Sequence, residues 1–210
     1  MWQIAPISEA TADDKVQQTY GRLRELFGAQ PLPEPFYLYG AVPAFLQDFY
    51  MNFKKFVWSE GHIPAKTKAV IAFAISTVTK CRPWIDVFAV RCRELGISDQ
   101  YLSDTLAVAS SCAMYNAFFK FRDISGSDLF SGMSVGLRAH TFANTSLDDL
   151  TVELINVAIS DLNGCKPCTS GHVEKARQLG ASNEALLEVI QCTATMLAGT
   201  TFLNAAAAHS

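Results

Sequence analysis

The chain has 210 residues, a formal net charge of -3, 50% apolar residues and only 18% charged residues. A chain of this length can bury a hydrophobic core without a disulfide or metal staple. No Lys/Arg-rich run gives it the electrostatic footprint of a nucleic-acid-binding or membrane-surface protein, so we expect neither partner. The apolar-rich composition predicts that apolar surface is shared between the subunits of a homo-oligomer.

The expected location follows from the N-terminus and from the absence of long apolar runs. Residues 1–6 lack the basic segment and apolar stretch of a secretory signal. No apolar run approaches the roughly 20 residues that span a bilayer. We therefore expect a cytoplasmic protein. In that reducing compartment isolated cysteines behave as small hydrophobes, and only a close pair is expected to cycle between thiol and disulfide.

Helical periodicity dominates the chain. Apolar residues recur at helical spacing, and period-2 alternation is not sustained, so the sequence predicts an all-α fold. Pro43 suits a first helical turn, while Gly96 and Gly180 end helices and are followed by the capping residues Ser98 and Ser182. The predicted helices are 11–27, 43–58, 65–79, 84–95, 99–120, 147–162, 166–179 and 183–204.

An internal repeat appears when the chain is shifted over itself by 84 residues. The matched pairs include Ala74 with Ala158, Ile75 with Ile159, Ser76 with Ser160, Cys81 with Cys165, Pro83 with Pro167 and Leu95 with Leu179. They predict one all-α domain with two repeated helical-hairpin units. Its parts are a helical extension over 1–60, a degenerate repeat over 64–120, an apolar connection over 123–146 and an active repeat over 147–204.

The two repeats differ at the turn that opens their second helix. The second repeat carries Cys165 and Cys168 with His172 one turn later, whereas the first has Trp84 and Phe88 in place of Cys168 and His172. A helix that begins near Cys165 places Cys168 where orphan N–H groups and the helix dipole favour a thiolate. His172 shares that helix face and can hold or relay a proton. We therefore predict thiol-disulfide chemistry in the second repeat.

Glu153 lies on the preceding predicted helix and borders its apolar stripe. If that edge is buried, the carboxylate needs a partner. If Glu153 belongs instead to a polar stripe with Asp149 and Asn156, it is solvated and has no role. Both interpretations stay open on these grounds.

The remaining cysteines and histidines are given structural interpretations, and a zinc site is the one chemical alternative. A zinc site has passable ligands in Cys165, Cys168, His172 and Glu153. We expect no metal, because a helical domain of this size does not need one. The other cysteines are predicted to be buried packing thiols: Cys81, Cys92, Cys112 and Cys192. No role is assigned to the other histidines: His62, His140 and His209.

The segment between Glu153 and His172 carries a family resemblance. It ends in Leu162-Asn163-Gly164-Cys165-Lys166-Pro167-Cys168-Thr169-Ser170-Gly171-His172, and it resembles the alkylhydroperoxidase D-like branch of the carboxymuconolactone decarboxylase superfamily. The resemblance implies repeated helical hairpins, a homo-oligomer, peroxidase or disulfide-reductase activity and no required cofactor. It also implies that Glu153, Cys165, Cys168 and His172 form the site. Pro167 departs from well-studied relatives, which carry a histidine there.

The resulting hypothesis is a thiol-dependent peroxidase with an antioxidant role. Cys168 would attack the hydroperoxide, His172 and Glu153 would route the proton, and Cys165 would resolve the sulfenic acid as a disulfide. An external dithiol of protein or lipoyl type would then reduce that disulfide. Two alternatives stay open: a thiol reductase that serves a separate peroxidase, and a non-enzymatic helical interaction protein with incidental cysteines.

Overall fold

The structure is a computed structural model that describes residues 4–28 and 31–207. These residues form helices, turns and loops without a β-strand, which confirms the predicted all-α class. Within these ranges the α-helices are α1 Asp14–Phe27, α2 Glu34–Tyr39, α3 Pro43–Asn52, α4 Ala65–Val78, α5 Arg82–Glu94, α6 Asp99–Ile124, α7 Asp149–Leu162, α8 Lys166–Gln178 and α9 Asn183–Ala207. His209 lies outside the described residues.

Most predicted helix limits agree with the structure, and the differences have local causes. Helix α1 begins at Asp14 because the Asp13 carboxylate caps it by accepting from the Val16 N–H at 2.9 Å. The predicted helix 43–58 is α-helical only through Asn52, and Phe53–Trp58 continues it as a π-helix. Helix α2 was not predicted. It is six residues long and has no side-chain cap, so it leaves little signal in the sequence.

The two repeats share the geometry of their first turn. The Cys81 N–H donates to the Ser76 carbonyl at 2.9 Å, and the Cys165 N–H donates to the Ser160 carbonyl at 3.0 Å. Both cysteines have nearly the same backbone angles, with φ of -91° and -92° and ψ of 89°. The residue before each is left-handed, Lys80 in the first repeat and Gly164 in the second. The predicted internal repeat is therefore present in the backbone itself.

Helices α4 and α7 lie at the centre of the fold. Residues 68–76 of α4 and 151–160 of α7 are buried on every side, because α5, α6 and α9 surround the first helix and α6, α8 and α9 surround the second. A helix that is buried all round is normally apolar all round. A charged side chain on either helix therefore needs a partner inside the protein.

Two such charges form a buried ion pair beside the first repeat. Lys68 of α4 donates to Glu188 of α9 at 2.8 Å, and the Lys68 side chain is fully buried. The Glu188 carboxylate also accepts from the Ile63 N–H at 2.8 Å. At the position of Glu188 shifted by 84 residues, Asp104 accepts from the Ser146 N–H at 2.7 Å. In both cases a carboxylate on the third helix of one repeat binds the segment that precedes the other repeat.

The N-terminal extension packs its aromatic side chains on the first repeat. Phe36, Tyr39 and Phe53 contact the Trp84 ring at centroid distances of 5.6, 6.5 and 5.4 Å. Phe53 also contacts Phe88 at 6.3 Å. These rings are fully buried, so the extension belongs to the core of the domain and covers the face that carries Trp84.

Helix α9 is the described helix that is long and apolar enough, over Asn183–Ala206, to cross a membrane by length and composition. The expectation that no segment approaches spanning length is therefore wrong for this helix. In the structure 56% of that window is buried against the rest of the chain, and core helices of soluble proteins meet the same criterion. The composition of α9 is thus weak evidence for a membrane segment.

Candidate active site

A disulfide joins Cys165 and Cys168 at the N-terminus of α8, with 5.3 Å between their Cα atoms. Cys165 is the N-cap residue, and Pro167 lies in the first turn, where no N–H is needed. The Thr169 N–H donates to the Cys165 carbonyl at 2.9 Å and closes that turn. Both cysteines are buried, at 1% exposure for Cys165 and 8% for Cys168.

Glu153 of α7 is buried at 2% exposure and is held by two side chains of α8. Its Oε2 lies 2.7 Å from Nδ1 of His172, and its Oε1 accepts from Nζ of Lys175 at 2.6 Å. The solvated interpretation of Glu153 is therefore wrong. The carboxylate occupies a buried edge and has the partners that such an edge requires.

The partners of Glu153 determine its charge. Burial raises the pKa of this carboxyl, but the hydrogen bonds from His172 and Lys175 outweigh burial and lower the pKa below its ordinary value of 4.5. Glu153 is thus an anion at neutral pH, and an anionic oxygen only accepts. Nδ1 of His172 consequently carries the proton, which leaves Nε2 as the nitrogen that can accept one.

A cavity of about 360 Å³ lies between α6, α8 and the connection between the repeats. Cys168 and His172 both line it, together with Lys175 at its edge. Cys165 does not line the cavity. A small molecule in this cavity would therefore meet the sulfur of Cys168, with an imidazole ring in the same wall.

A polar cluster that includes two lining residues of the cavity, Cys112 and Asn116, joins α6 to α7. The Ser160 hydroxyl donates to Oδ1 of Asn116 at 3.0 Å, and the Asn116 amide donates to the Ile159 carbonyl at 3.2 Å. The Cys112 sulfur lies 3.6 Å from the Ser160 hydroxyl. Burial raises the pKa of Cys112 to about 11, so this thiol stays protonated at neutral pH.

The corresponding place in the first repeat has none of these reactive groups. Trp84 and Phe88 are fully buried where the second repeat has Cys168 and His172. At the position of Lys175, Arg91 stacks on Trp58 with its guanidinium carbon 4.2 Å from the ring centroid. The thiols predicted to pack in the core are buried, as predicted: Cys81, Cys92, Cys112 and Cys192.

The four residues singled out from the sequence lie at the contact of α7 with α8. Glu153 is joined directly to His172, and Cys168 shares a cavity wall with His172. Among the described residues, no group of three or more His, Cys, Asp or Glu side chains is arranged to hold a metal ion. In this state the two sulfurs bond to each other instead.

Sequence reasoning missed Lys175 and the aromatic wall of the cavity. Lys175 follows His172 by three residues, a spacing that places both on one helix face, so it could have been found. The wall contains Tyr115 and Phe119 from α6 and Phe142 from the connection. These residues lie far from the cysteine motif in sequence, and no local pattern points to them.

Three relatives with this type of sequence are each named alkyl hydroperoxide reductase AhpD. Those from Corynebacterium kroppenstedtii and Solibacter usitatus are 30% and 33% identical over 100 residues, which cover 48% of this chain and 57% and 56% of the relatives. The chain thus spans little more than half of their length. The relative from Acidobacterium capsulatum is 24% identical over 173 residues, covering 80% of this chain and 91% of the relative.

A solved structure and a family profile complete these comparisons. A crystal structure named as a gamma-carboxymuconolactone decarboxylase subunit, from Burkholderia xenovorans LB400, superimposes with a TM-score of 0.60 at 16% identity. It covers 91% of this chain and 96% of its own, and it shows the shared fold. The profile of the carboxymuconolactone decarboxylase family matches residues 45–124 and again 130–209, which together are more than half of the chain. The chain therefore belongs to the carboxymuconolactone decarboxylase family.

Proposed function

We propose that this chain is a thiol-dependent peroxidase that reduces hydroperoxides with Cys165 and Cys168, assisted by His172 and Glu153. One observation carries the proposal: Cys168 and His172 line one cavity, and His172 is held at Nδ1 by a buried carboxylate. A paired thiol, a base and an orienting group are the parts that nucleophilic thiol chemistry needs. The relatives named alkyl hydroperoxide reductase favour the same role.

In the reaction, the reduced Cys168 thiolate attacks one oxygen of the hydroperoxide and the O–O bond breaks. Nε2 of His172 takes the proton of the Cys168 thiol as the thiolate forms, and His172 then delivers that proton to the other oxygen, which leaves as an alcohol or water. Cys168 is then a sulfenic acid, and the Cys165 thiol displaces its hydroxyl as water to form the disulfide. An external dithiol returns two electrons and two protons, so each turnover converts one hydroperoxide and one dithiol into alcohol, water and a disulfide.

The burial of the pair favours a small peroxide over a protein disulfide as the substrate. Cys165 is 1% exposed and Cys168 is 8% exposed, and Cys168 is reached through the cavity. A sulfur on a folded partner would have difficulty in contacting either cysteine. For this reason we place the thiol-reductase alternative second. Because both cysteines are buried, the external reductant must be a narrow dithiol, either a small molecule or a group on a flexible arm.

The proposal also includes a cytoplasmic location and assembly into a homo-oligomer. Large apolar side chains are exposed near the end of α6 and in the connection: Phe121, Ile124, Leu129 and Met133. Exposed apolar groups of this kind are often covered by a partner. Light scattering coupled to size-exclusion chromatography would give the number of subunits.

The test is stopped-flow oxidation of the reduced protein by hydroperoxide, followed by mass spectrometry of the product. We expect Cys168→Ser to lose at least about 10³-fold in rate, because the nucleophile is gone. Cys165→Ser should still consume one equivalent and should leave a sulfenic acid that a dimedone probe traps.

The matched control is Cys81→Ser, because Cys81 holds the position of Cys165 in the first repeat. It should keep the oxidation rate of the native protein once folding is checked by circular dichroism. Peroxide consumption by Cys168→Ser at the native rate would contradict the proposed function.

A further inference from the structure

The cavity beside Cys168 is lined by three aromatic side chains that contact one another. Tyr115 and Phe119 stack at a centroid distance of 6.2 Å, and Phe142 lies 6.0 Å from Tyr115. Two of these rings come from α6 and the third from the connection. The Tyr115 hydroxyl donates to the Leu137 carbonyl at 2.9 Å and so ties the connection to α6.

The polar groups around this cavity are already engaged with the protein. Asn116 is bound by Ser160 and Ile159, and Lys175 is bound to Glu153. Few polar groups remain for recognising a ligand in the body of the cavity. Cys168 and His172 are the reactive groups in its wall. Such a site suits a ligand with an apolar body and one reactive polar end.

The first repeat shows what fills the equivalent space. There Trp84 and Gly199 stand at the positions of Cys168 and Tyr115, and Tyr39 of α2 lies between them. The Tyr39 hydroxyl donates to the Gly199 carbonyl at 2.7 Å and accepts from Nε1 of Trp84 at 2.8 Å. A Cβ at Gly199 would lie 2.6 Å from the Phe49 ring, so aromatic side chains occupy the space that Tyr115 would need. The chain fills this place with its own aromatic rings in one repeat and leaves a cavity in the other.

We propose that the cavity binds the aromatic ring of an aryl-bearing organic hydroperoxide, with Tyr115, Phe119 and Phe142 as its specificity-determining residues. This inference rests on the proposed function and names its substrate class. The peroxide group lies toward Cys168, and the bond changes are those of the reaction above. A cavity of about 360 Å³ is near the lower end of ordinary ligand sites, which fits one ring with short substituents.

The kinetic test compares cumene hydroperoxide with hydrogen peroxide in three variants. Phe119→Ala and Phe142→Ala should each lower kcat/KM for cumene hydroperoxide by about tenfold or more, while the value for hydrogen peroxide stays within about threefold. Leu106→Ala is the control, because Leu106 lies on the same helix outside the cavity and is half exposed. It should leave both values unchanged. Equal losses for both peroxides in the two cavity variants, or no loss for either, would overturn the inference.

A binding test separates this inference from the proposed function. The oxidised native protein is titrated with 2-phenyl-2-propanol, the alcohol of cumene hydroperoxide, and with tert-butyl alcohol, while NMR shifts of the protein are followed. We expect saturable shifts for the aryl alcohol alone and at least about tenfold weaker binding to Phe119→Ala. No binding to the native protein would overturn the inference even if the chain is a peroxidase. Selective binding without any peroxidase activity would refute the proposed function and would support the aryl site.

Discussion

The two repeats have the same turn in front of their second helix and opposite surroundings. In the first repeat Trp84 and Phe88 are sealed under aromatic rings of the N-terminal extension. In the second, Cys168 and His172 line a cavity, and the Glu153 carboxylate is hydrogen-bonded to Nδ1 of His172. The same backbone turn thus carries two buried aromatic rings in one repeat and a disulfide beside a cavity in the other.

Among the groups that surround the two cysteines, the largest effect should come from the carboxylate that the first repeat lacks, where Ala69 stands at the position of Glu153. We expect Glu153→Gln to slow oxidation of the reduced protein by about 10²-fold or more, because His172 loses its anionic partner. Stopped-flow rates against hydroperoxide check this. Glu174→Gln on the exposed face of α8 is the control and should stay within about twofold. An unchanged rate in Glu153→Gln would remove Glu153 from the mechanism.

The next prediction concerns the first repeat, in which Trp84 is fully buried. Trp84→Ala should lower the free energy of unfolding by about 3–5 kcal/mol, because a fully buried ring and its hydrogen bond to Tyr39 are lost. Urea denaturation measures this loss. The peroxide-oxidation rate of the folded variant should stay within about threefold of native. In reduced protein, Cys168→Ala should cost far less stability. A Trp84→Ala variant that folds normally but reacts slowly would show that the first repeat supports the chemistry.

A smaller effect is expected from Lys175, whose side chain is 63% exposed although its ammonium group binds a buried carboxylate. Lys175→Met should slow peroxide oxidation by about tenfold, because Glu153 keeps only His172 as a partner. Lys175→Arg should restore most of the rate. Lys175→Met should also raise the pH below which the rate falls, because Glu153 loses a cation that lowers its pKa. A merely structural role of Lys175 would leave this pH unchanged. Equal rates in Met and Arg variants would contradict this role.

The smallest expected effect is on stability in acid. The folded pKa of Glu153 is lowered by His172 and Lys175 against the opposing effect of burial. A lowered carboxyl pKa contributes stability that is fully present above the unfolded pKa and is lost as pH falls through the folded pKa. The native protein should therefore lose stability below about pH 4.5. Glu153→Gln should lose less over that range in urea denaturation at successive pH values, and Glu188 should account for part of the remaining loss.

Much of the fold could be predicted because its signals are local. Ser98 and Ser182 cap α6 and α9 as predicted, accepting from Tyr101 N–H at 3.2 Å and Ala185 N–H at 3.1 Å. Helix α5 begins at Arg82, two residues before its predicted start, because Pro83 fits inside a first turn. The boundaries of the extension, the two repeats and the connection, at 1–60, 64–120, 147–204 and 123–146, stay predictions.

The site could be predicted only in part, because its walls come from distant segments. Cys165, Cys168 and His172 share one helix end, so their spacing points to one place. Glu153 required the additional assumption that its edge of α7 is buried. Phe119 and Phe142 come to the cavity through the packing of α6 and of the connection, and tertiary packing of this kind leaves no sequence periodicity.

The four buried thiols outside the disulfide stay protonated at neutral pH. Burial raises the pKa of Cys92 and Cys192 to about 12 and that of Cys112 to about 11, and it also raises the pKa of Cys81. At neutral pH about one molecule in ten thousand, or fewer, carries a thiolate at Cys112. Four of the six cysteine sulfurs are therefore neutral thiols at neutral pH, and the other two are joined in the Cys165–Cys168 disulfide.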